Sequence, residues 1–313
     1  MYNNNSRIDD IDLDLSINSN LSRHTNNLSL SEKEKISLKD YIEKRSLDYG
    51  DKTLTHQWWD NIENINFKIT DDEYDEFVEI YGKELKREKK ILHVMEQPKE
   101  YGPLCLDFDL KQISPERTIY MDEIIIHIIS IVNNIIAKFY SIINKSILVC
   151  YVFKKNEPFF IKSKLLYSDG FHLQYPNLIF NVVDRYLIYN ESRKEIIKQD
   201  LFSHVYSLLA NVKHNKNIAD SDEQDSDIDE DDKETCDYYK LSDKEKEKIN
   251  DKIFDPCVII KNKWFMYGSG KNIKGDINLY EIEYIFDFNL DKIDDIPRTK
   301  ELVKILSIRK KNK

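Results

Sequence analysis

Two aspartates stand one residue apart inside an otherwise apolar run, GPLCLDFDLK at residues 102–111. In an extended strand successive side chains alternate between faces. Leu104, Leu106, Phe108 and Leu110 then share one side, while Cys105, Asp107, Asp109 and Lys111 share the other. The alpha carbons of Asp107 and Asp109 lie roughly 6.5–7 Å apart in such a strand. Carboxylates this close repel, and partial burial sharpens the repulsion. Solvent, a basic neighbour or a divalent cation relieves it, and an oxygen-rich site of this kind suits Mg²⁺ or Mn²⁺. A solvated strand face salted by Lys111 is the plainer alternative. The apolar flanks and the polar groups downstream favour the cation.

Those groups come in two later segments. SDGFHLQYP (168–176) places His172 at the start of a strand after a Ser-Asp-Gly turn, with His172 and Gln174 on one face and Phe171, Leu173 and Tyr175 on the other. Gly170 allows a close backbone approach. FDPCVIIKNKWFMYGSGK (254–271) offers a third acid, Asp255, before an apolar stretch, and then Gly268-Ser269-Gly270-Lys271. Backbone amides of a Gly-rich turn plus a lysine form a phosphate cradle, although the Walker spacing is absent. Paired carboxylates, a distant third carboxylate, a histidine and a Gly-Ser-Lys turn are the groups that two-metal phosphoryl transfer requires.

The elements that must hold these groups are mixed. Residues 1–30 lack periodicity and read as disordered, and 31–310 read as the folded part. A helix over 30–46 has Ser31 as an N-cap candidate, and Thr70 with Glu73 forms a capping box before Tyr74, Phe77, Val78 and Tyr81 on one helical face. Residues 121–144 form a long apolar helix interrupted by His127, Asn133, Asn134 and Lys138, which fits a buried core helix better than a membrane span. Strands are expected at 146–153 and 171–178, a helix over 182–211, and two further strands in DPCVIIKN and KWFMYGSGK around a tight turn at Lys261–Lys263. Strands and helices without an internal repeat give an α+β or α/β class. The net charge of −10 argues at first against nucleic acid, but nine acids and no base fall within 219–232. That run reads as a solvated insertion, bounded here as 214–237, which leaves a nearly neutral folded part. Four widely spaced cysteines predict neither a disulfide framework nor a zinc ribbon.

With these motifs in order, the chain resembles the archaeo-eukaryotic primase superfamily, and within it the N-terminal primase domain of the primase–helicases of poxvirus and giant-virus type. The resemblance spans roughly residues 54–310. It rests on THQWWDN, GPLCLDFDLK, SDGFHLQYP, FDPCVIIKNKWFMYGSGK and LVKILSIR. It implies an α+β primase catalytic core, an α/β unit joined to an RRM-like sheet unit with the site in the cleft between. It implies Asp107, Asp109 and Asp255 as ligands of Mg²⁺ or Mn²⁺, His172 on the incoming nucleotide's phosphates, and Ser269 and Lys271 on the triphosphate tail. Ser168 stands where the family often has a serine, although four residues ahead of His172 and not two. The implied activity is a DNA primase or primase-polymerase that joins nucleoside triphosphates on single-stranded DNA. The implied partner is a replicative helicase domain or subunit, with no membrane partner, at an intracellular viral replication site in the host, a cytoplasmic factory or the nucleus. The alternatives are a catalytically degenerate scaffold or loading module for a helicase, and, more distantly, a sugar-nucleotide transferase.

Overall fold

The computed structural model describes residues 36–60, 62–87, 91–117, 120, 122–140, 145–162, 165–202, 242–273 and 276–309. All that follows lies in the unit Ser37–Lys313. The acidic segment 214–237, residues 1–30 and the Ser31 cap lie outside the described residues.

Two antiparallel sheets organise the chain. The first has the order β2-β1-β3-β8, with β1 at His56–Trp59, β2 at Asn64–Phe67, β3 at Val94–Glu96 and β8 at Trp264–Phe265. Helices α1 (Leu38–Glu43) and α2 (Tyr74–Arg87) accompany it. Ser37 caps α1, its side chain accepting from the Asp40 amide at 3.1 Å. Glu73 reaches back to the Thr70 amide at 3.0 Å, but the Thr70 hydroxyl bonds the Glu73 carboxylate, so one half of the expected capping box forms before α2. Tyr74, Phe77, Val78 and Tyr81 are buried, as their spacing requires.

The second sheet is five-stranded. Its path runs β11-β5-β7-β4, with β4 at Tyr101–Gln112, β5 at Cys150–Lys155, β7 at Leu166–Asn181 and β11 at Tyr280–Phe286; β6 (Phe159–Ile161) also pairs with β7. Strand β7 is twice the length the sequence suggested. Between the pairs Pro103↔Ile179 and Leu104↔Tyr175 it carries extra residues, Pro176 to Leu178. A proline cannot donate to the ladder, and a bulge lets the strand continue past it. Helix α3 (Asp122–Phe139) buries Ile125, Ile128, Ile129, Val132 and Ile136 in one cluster with Leu104, Leu106, Phe108 and Leu110 of β4 and Phe171, Leu173 and Tyr175 of β7. Helix α4 (Val182–Lys198) adds Ile188, Tyr189 and Ile196, and α5 (Asp243–Ile253) adds Ile249 and Ile253. The apolar α3 segment is thus consumed by the core. No helix among the described residues is long and apolar enough to cross a membrane.

Among the described residues the opposite face of this sheet is only partly covered. Helix α6 (Thr299–Leu306) lays Leu302 and Leu306 against Tyr151, Phe153 and Ile285. Just beyond it the chain is latched to the first sheet. Buried Glu96 accepts from the Ser307 hydroxyl at 2.6 Å and the Ile308 amide at 2.8 Å, and buried His56 lies 3.5 Å away. Burial holds the His56 imidazole below its ordinary value, with Glu96 opposing in part. The unfolded chain therefore takes up that proton first, near pH 6.5. Stability falls as pH drops below that value, by up to about 1.4 kcal/mol per pH unit. The unfolding midpoint measured from pH 7.5 to 5.5 should decline, and the decline should flatten in His56→Gln.

Several expected strands are replaced. DPCVIIKN is not extended: Asp255 caps a 3-10 turn over Pro256–Ile259, with Pro256 at its first position. KWFMYGSGK contributes only the two residues of β8 before a tight turn, and Lys271 then opens β9 (Lys271–Ile273), which pairs with β10 (Asp276–Asn278). THQWWDN itself supplies β1 (His56–Trp59). The helix expected over 182–211 ends at Lys198, and 203–211 lie outside the described residues.

Candidate active site in the cleft between the sheets

The register of β4 on β7 decides which side chains meet. Asp107 lies opposite His172, Asp109 opposite Gly170 and Lys111 opposite Ser168. Directly paired residues share a face. Ser168, Gly170 and His172 alternate on β7, so the four-residue spacing from Ser168 to His172 keeps both on the aspartate face. On the far side of β7, β5 places Phe153 opposite His172, and β11 places Tyr280 opposite Lys155. This polar face forms the floor of a cleft of about 580 Å³. The segment 263–271 forms its other wall. All seven residues singled out in the sequence line it: Asp107, Asp109, Ser168, His172, Asp255, Ser269 and Lys271.

His172 Nε2 lies 3.2 Å from Asp107 Oδ1. No donor is aligned on that oxygen, which is buried. Burial pushes the Asp107 carboxyl up, but His172, then Lys155 and Lys111, outweigh it and hold the group below its usual range. Asp109 goes the other way, raised by burial and by the charge on Asp107, against Lys111, Lys155 and His172. The two carboxylates are therefore driven apart in acidity, as close like charges must be. A buried, undonated carboxylate oxygen beside a second carboxylate fits a hard divalent cation.

Gly170 has φ +151, and a Cβ there would sit 2.1 Å from the Phe108 carbonyl oxygen. Its freedom serves the close approach of β7 to β4, not of a ligand. Gly170→Ala should part the strands beneath Asp109 and cost at least about 1 kcal/mol, read as a lowered denaturant midpoint.

The third acid is differently employed. The amide of Asp255 donates to the Asp107 carbonyl oxygen at 3.3 Å, which seats the turn against the edge of β4. Its carboxylate accepts from the Cys257 amide and from Asn262 Nδ2, both at 2.8 Å. Both oxygens are occupied. Among the described residues no three His, Cys, Asp or Glu groups converge to hold a metal. Asp107 and Asp109 thus fit a cation, and Asp255 in this arrangement is a capping residue.

The Gly-Ser-Gly turn also departs from expectation. The Ser269 amide donates to Met266 and the Gly270 amide to Leu92, so these two amides are not free for phosphate. The Ser269 hydroxyl accepts from the Val94 amide at 2.9 Å and pairs with Tyr81 at 2.8 Å. Gly268 has φ +79, which favours glycine, and leaves no room for a Cβ against Leu85. The turn binds the first sheet together. Lys271 is exposed at the cleft, its Nζ 4.9 Å from the Trp59 ring centroid.

Three cleft residues escaped the sequence reading. Lys155 is buried, with Nζ 3.4 Å from the Ser168 hydroxyl and from the Asp169 carbonyl. Burial lowers its pKa, opposed by Asp109, Asp107 and Asp169. Lys111 Nζ donates to the same hydroxyl at 2.9 Å, so Ser168 gathers two lysines under the aspartates. Tyr280 stacks on His172 with ring centroids 3.6 Å apart, and Trp264 packs on the same imidazole at 4.6 Å. The run of alternation YVFKK at 151–155 was the available signal for Lys155; Tyr280 carried none, because β11 reaches the site only through its pairing with β5.

The chain is similar to a protein of Acanthamoeba polyphaga mimivirus described as a candidate helicase, L207/L206, with 26% identity over 207 residues. The match takes in 66% of this chain but 17% of that protein, so the chain spans a small part of its relative's length. The family model of the C962R protein N-terminal AEP domain matches residues 60–286, from just after β1 through β11 and including the whole aspartate face. With that match covering most of its length, the chain belongs to the archaeo-eukaryotic primases of the C962R N-terminal type.

Proposed function

We propose that this domain is a DNA primase or primase-polymerase that joins nucleoside triphosphates on single-stranded DNA during viral replication. The observation that carries the reading is the pairing of Asp107 with His172 beside Asp109, at the floor of a cleft with lysines on both walls. In the reaction a sugar hydroxyl oxygen forms a bond to the α-phosphorus while the bond to pyrophosphate breaks. A Mg²⁺ or Mn²⁺ held by Asp107 and Asp109 would supply charge neutralisation and lower the pKa of the attacking hydroxyl. His172 is held rigid between Asp107, Tyr280 and Trp264, so it presents a fixed donor to a phosphate oxygen. Lys271, exposed on the opposite wall, offers a cation to the triphosphate. Lys155 and Lys111, gathered by Ser168, keep the floor from accumulating negative charge.

The helicase description of the mimivirus relative supports a helicase domain or subunit as partner; a replication site in an infected cell as the location follows from the proposed viral primase role alone. One observation favours the scaffold alternative, in which the fold loads a helicase without catalysis: the Asp255 carboxylate is spent on its own turn. Primer synthesis on single-stranded DNA, with labelled nucleotides and Mn²⁺ or Mg²⁺, separates the two. Oligonucleotide products establish the enzyme. No product with either cation, with or without a helicase partner, assigns the domain to the scaffold class.

A further inference from the structure

A second depression, of about 630 Å³, lies beside the cleft and shares Lys155 and Phe159 with it. The wall between them is the three-residue strand β6. Its register on β7 is Phe159↔Ser168, Phe160↔Tyr167 and Ile161↔Leu166. Phe159 and Ile161 therefore face the catalytic floor, and Phe160 and Tyr167 face away from it. Their rings form a pair 4.9 Å apart at 47°. Phe160 is 43% exposed and belongs to neither sheet's core. Lys162 stands exposed one residue past the strand.

An exposed phenylalanine paired with a half-buried tyrosine beside a lysine, continuous with the proposed nucleotide cleft, has the chemistry of a single-strand binding track. Bases stack on the rings regardless of sequence, and cations follow the backbone. We propose that the groove over β6 carries the single-stranded DNA template away from the cleft, with a base on the Phe160–Tyr167 pair and a phosphate at Lys162. The assignment rests on the primase reading for its polarity, but its binding content does not.

The test uses the full chain and a fluorescein-labelled oligodeoxythymidylate, by anisotropy, with neither nucleotide nor divalent cation present. Phe160→Ala should weaken binding about tenfold. Lys162→Ala should reduce the slope of log affinity against log salt by about 0.7. Phe160→Leu, which keeps apolar bulk without a ring, should behave as Phe160→Ala and guards against a folding artefact. Replacing thymine by 2-aminopurine in the oligonucleotide should give stacking quench in wild type and lose it in the Phe160 variants. Failure of wild type to bind, or equal binding by the variants, overturns the groove. A larger loss for oligouridylate than for the DNA strand overturns the template assignment in favour of the nascent strand. Wild type that binds with these sensitivities yet synthesises nothing removes the catalytic reading and leaves the groove standing.

Discussion

The double variant Asp107→Asn, Asp109→Asn should make no measurable primer, an expected loss of at least about 10³-fold relative to wild type if the domain acts as proposed. Both carboxamides keep the shape of the strand, so the loss is one of charge and not of packing. The two single variants separate in stability. Asp109 carries a carboxyl raised by burial and by its neighbour's charge, which means its ionised form is held at a cost to the fold. Asp109→Asn should therefore raise the unfolding midpoint. Asp107 is favoured in its ionised form by His172 and the two lysines, so Asp107→Asn should lower it. Activity falls in both while stability moves in opposite directions. That pattern marks a site kept for its charge, since a merely structural pair would lose stability in either variant. Product assays on a DNA template with Mn²⁺, alongside thermal scans of the same preparations, provide the check. Two single variants that each retain more than a tenth of wild-type synthesis would remove the cation-binding role.

The largest effect on the fold itself is expected at Glu96, which is fully buried. Its two oxygens receive the Ser307 hydroxyl and the Ile308 amide, and His56 lies beside them. Glu96→Ala leaves the buried Ile308 amide and the proton of the Ser307 hydroxyl without an acceptor and opens a void between the first sheet and the end of α6. Hydrogen bonds to a charged acceptor are worth about 1.5–3 kcal/mol each, so a loss of roughly 3–5 kcal/mol is expected. For a chain of this size that lowers the unfolding midpoint by on the order of 10 °C. Glu96→Gln keeps one carbonyl acceptor and should recover about half of the loss. Differential scanning calorimetry of the three proteins resolves these steps. A fall of less than 2 °C in Glu96→Ala would show that the latch contributes little.

How far the sequence anticipated this site depends on the range of the signal. Strand alternation is local, and it put Asp107 and Asp109 on one face and His172 on a polar face before any register was known. The register then made those faces the same. Tyr280 was not legible because it depends on which strand neighbours β5, and no short pattern encodes that order; Lys155 had only the alternation at 151–155, which does not say which face meets the aspartates. Asp255 was misread for a local reason. An acid before proline starts a turn as readily as it ends a strand, and Pro256 with the Cys257 amide draws the carboxylate into the cap. Ser269 and its glycines were read as a ligand loop by composition, while their amides and hydroxyl close the first sheet through Leu92, Val94 and Tyr81. The long helix α3 was correctly assigned to the core because its polar interruptions exclude a span. Its partner strand β7 was expected only over 171–178 but runs from Leu166 to Asn181, a bulge at Pro176 to Leu178 carrying the pairing onward.

The Glu96 latch also bears on how the chain is made. Its two hydrogen bonds close over 211 and 212 residues, and the Tyr81–Ser269 pair over 188. During synthesis the first sheet emerges long before β8 and the Ser307–Ile308 segment that complete it. Until those residues leave the ribosome, Glu96 lacks the donors of Ser307 and Ile308, β3 has no β8 at its edge, and the cleft lacks its second wall. Folding therefore waits on contacts of long sequence separation, which is slow and exposes unpaired strand edges meanwhile. A nascent chain stalled before residue 308 should remain sensitive to protease across β1 to β3, and one released beyond it should become resistant in a single cooperative step.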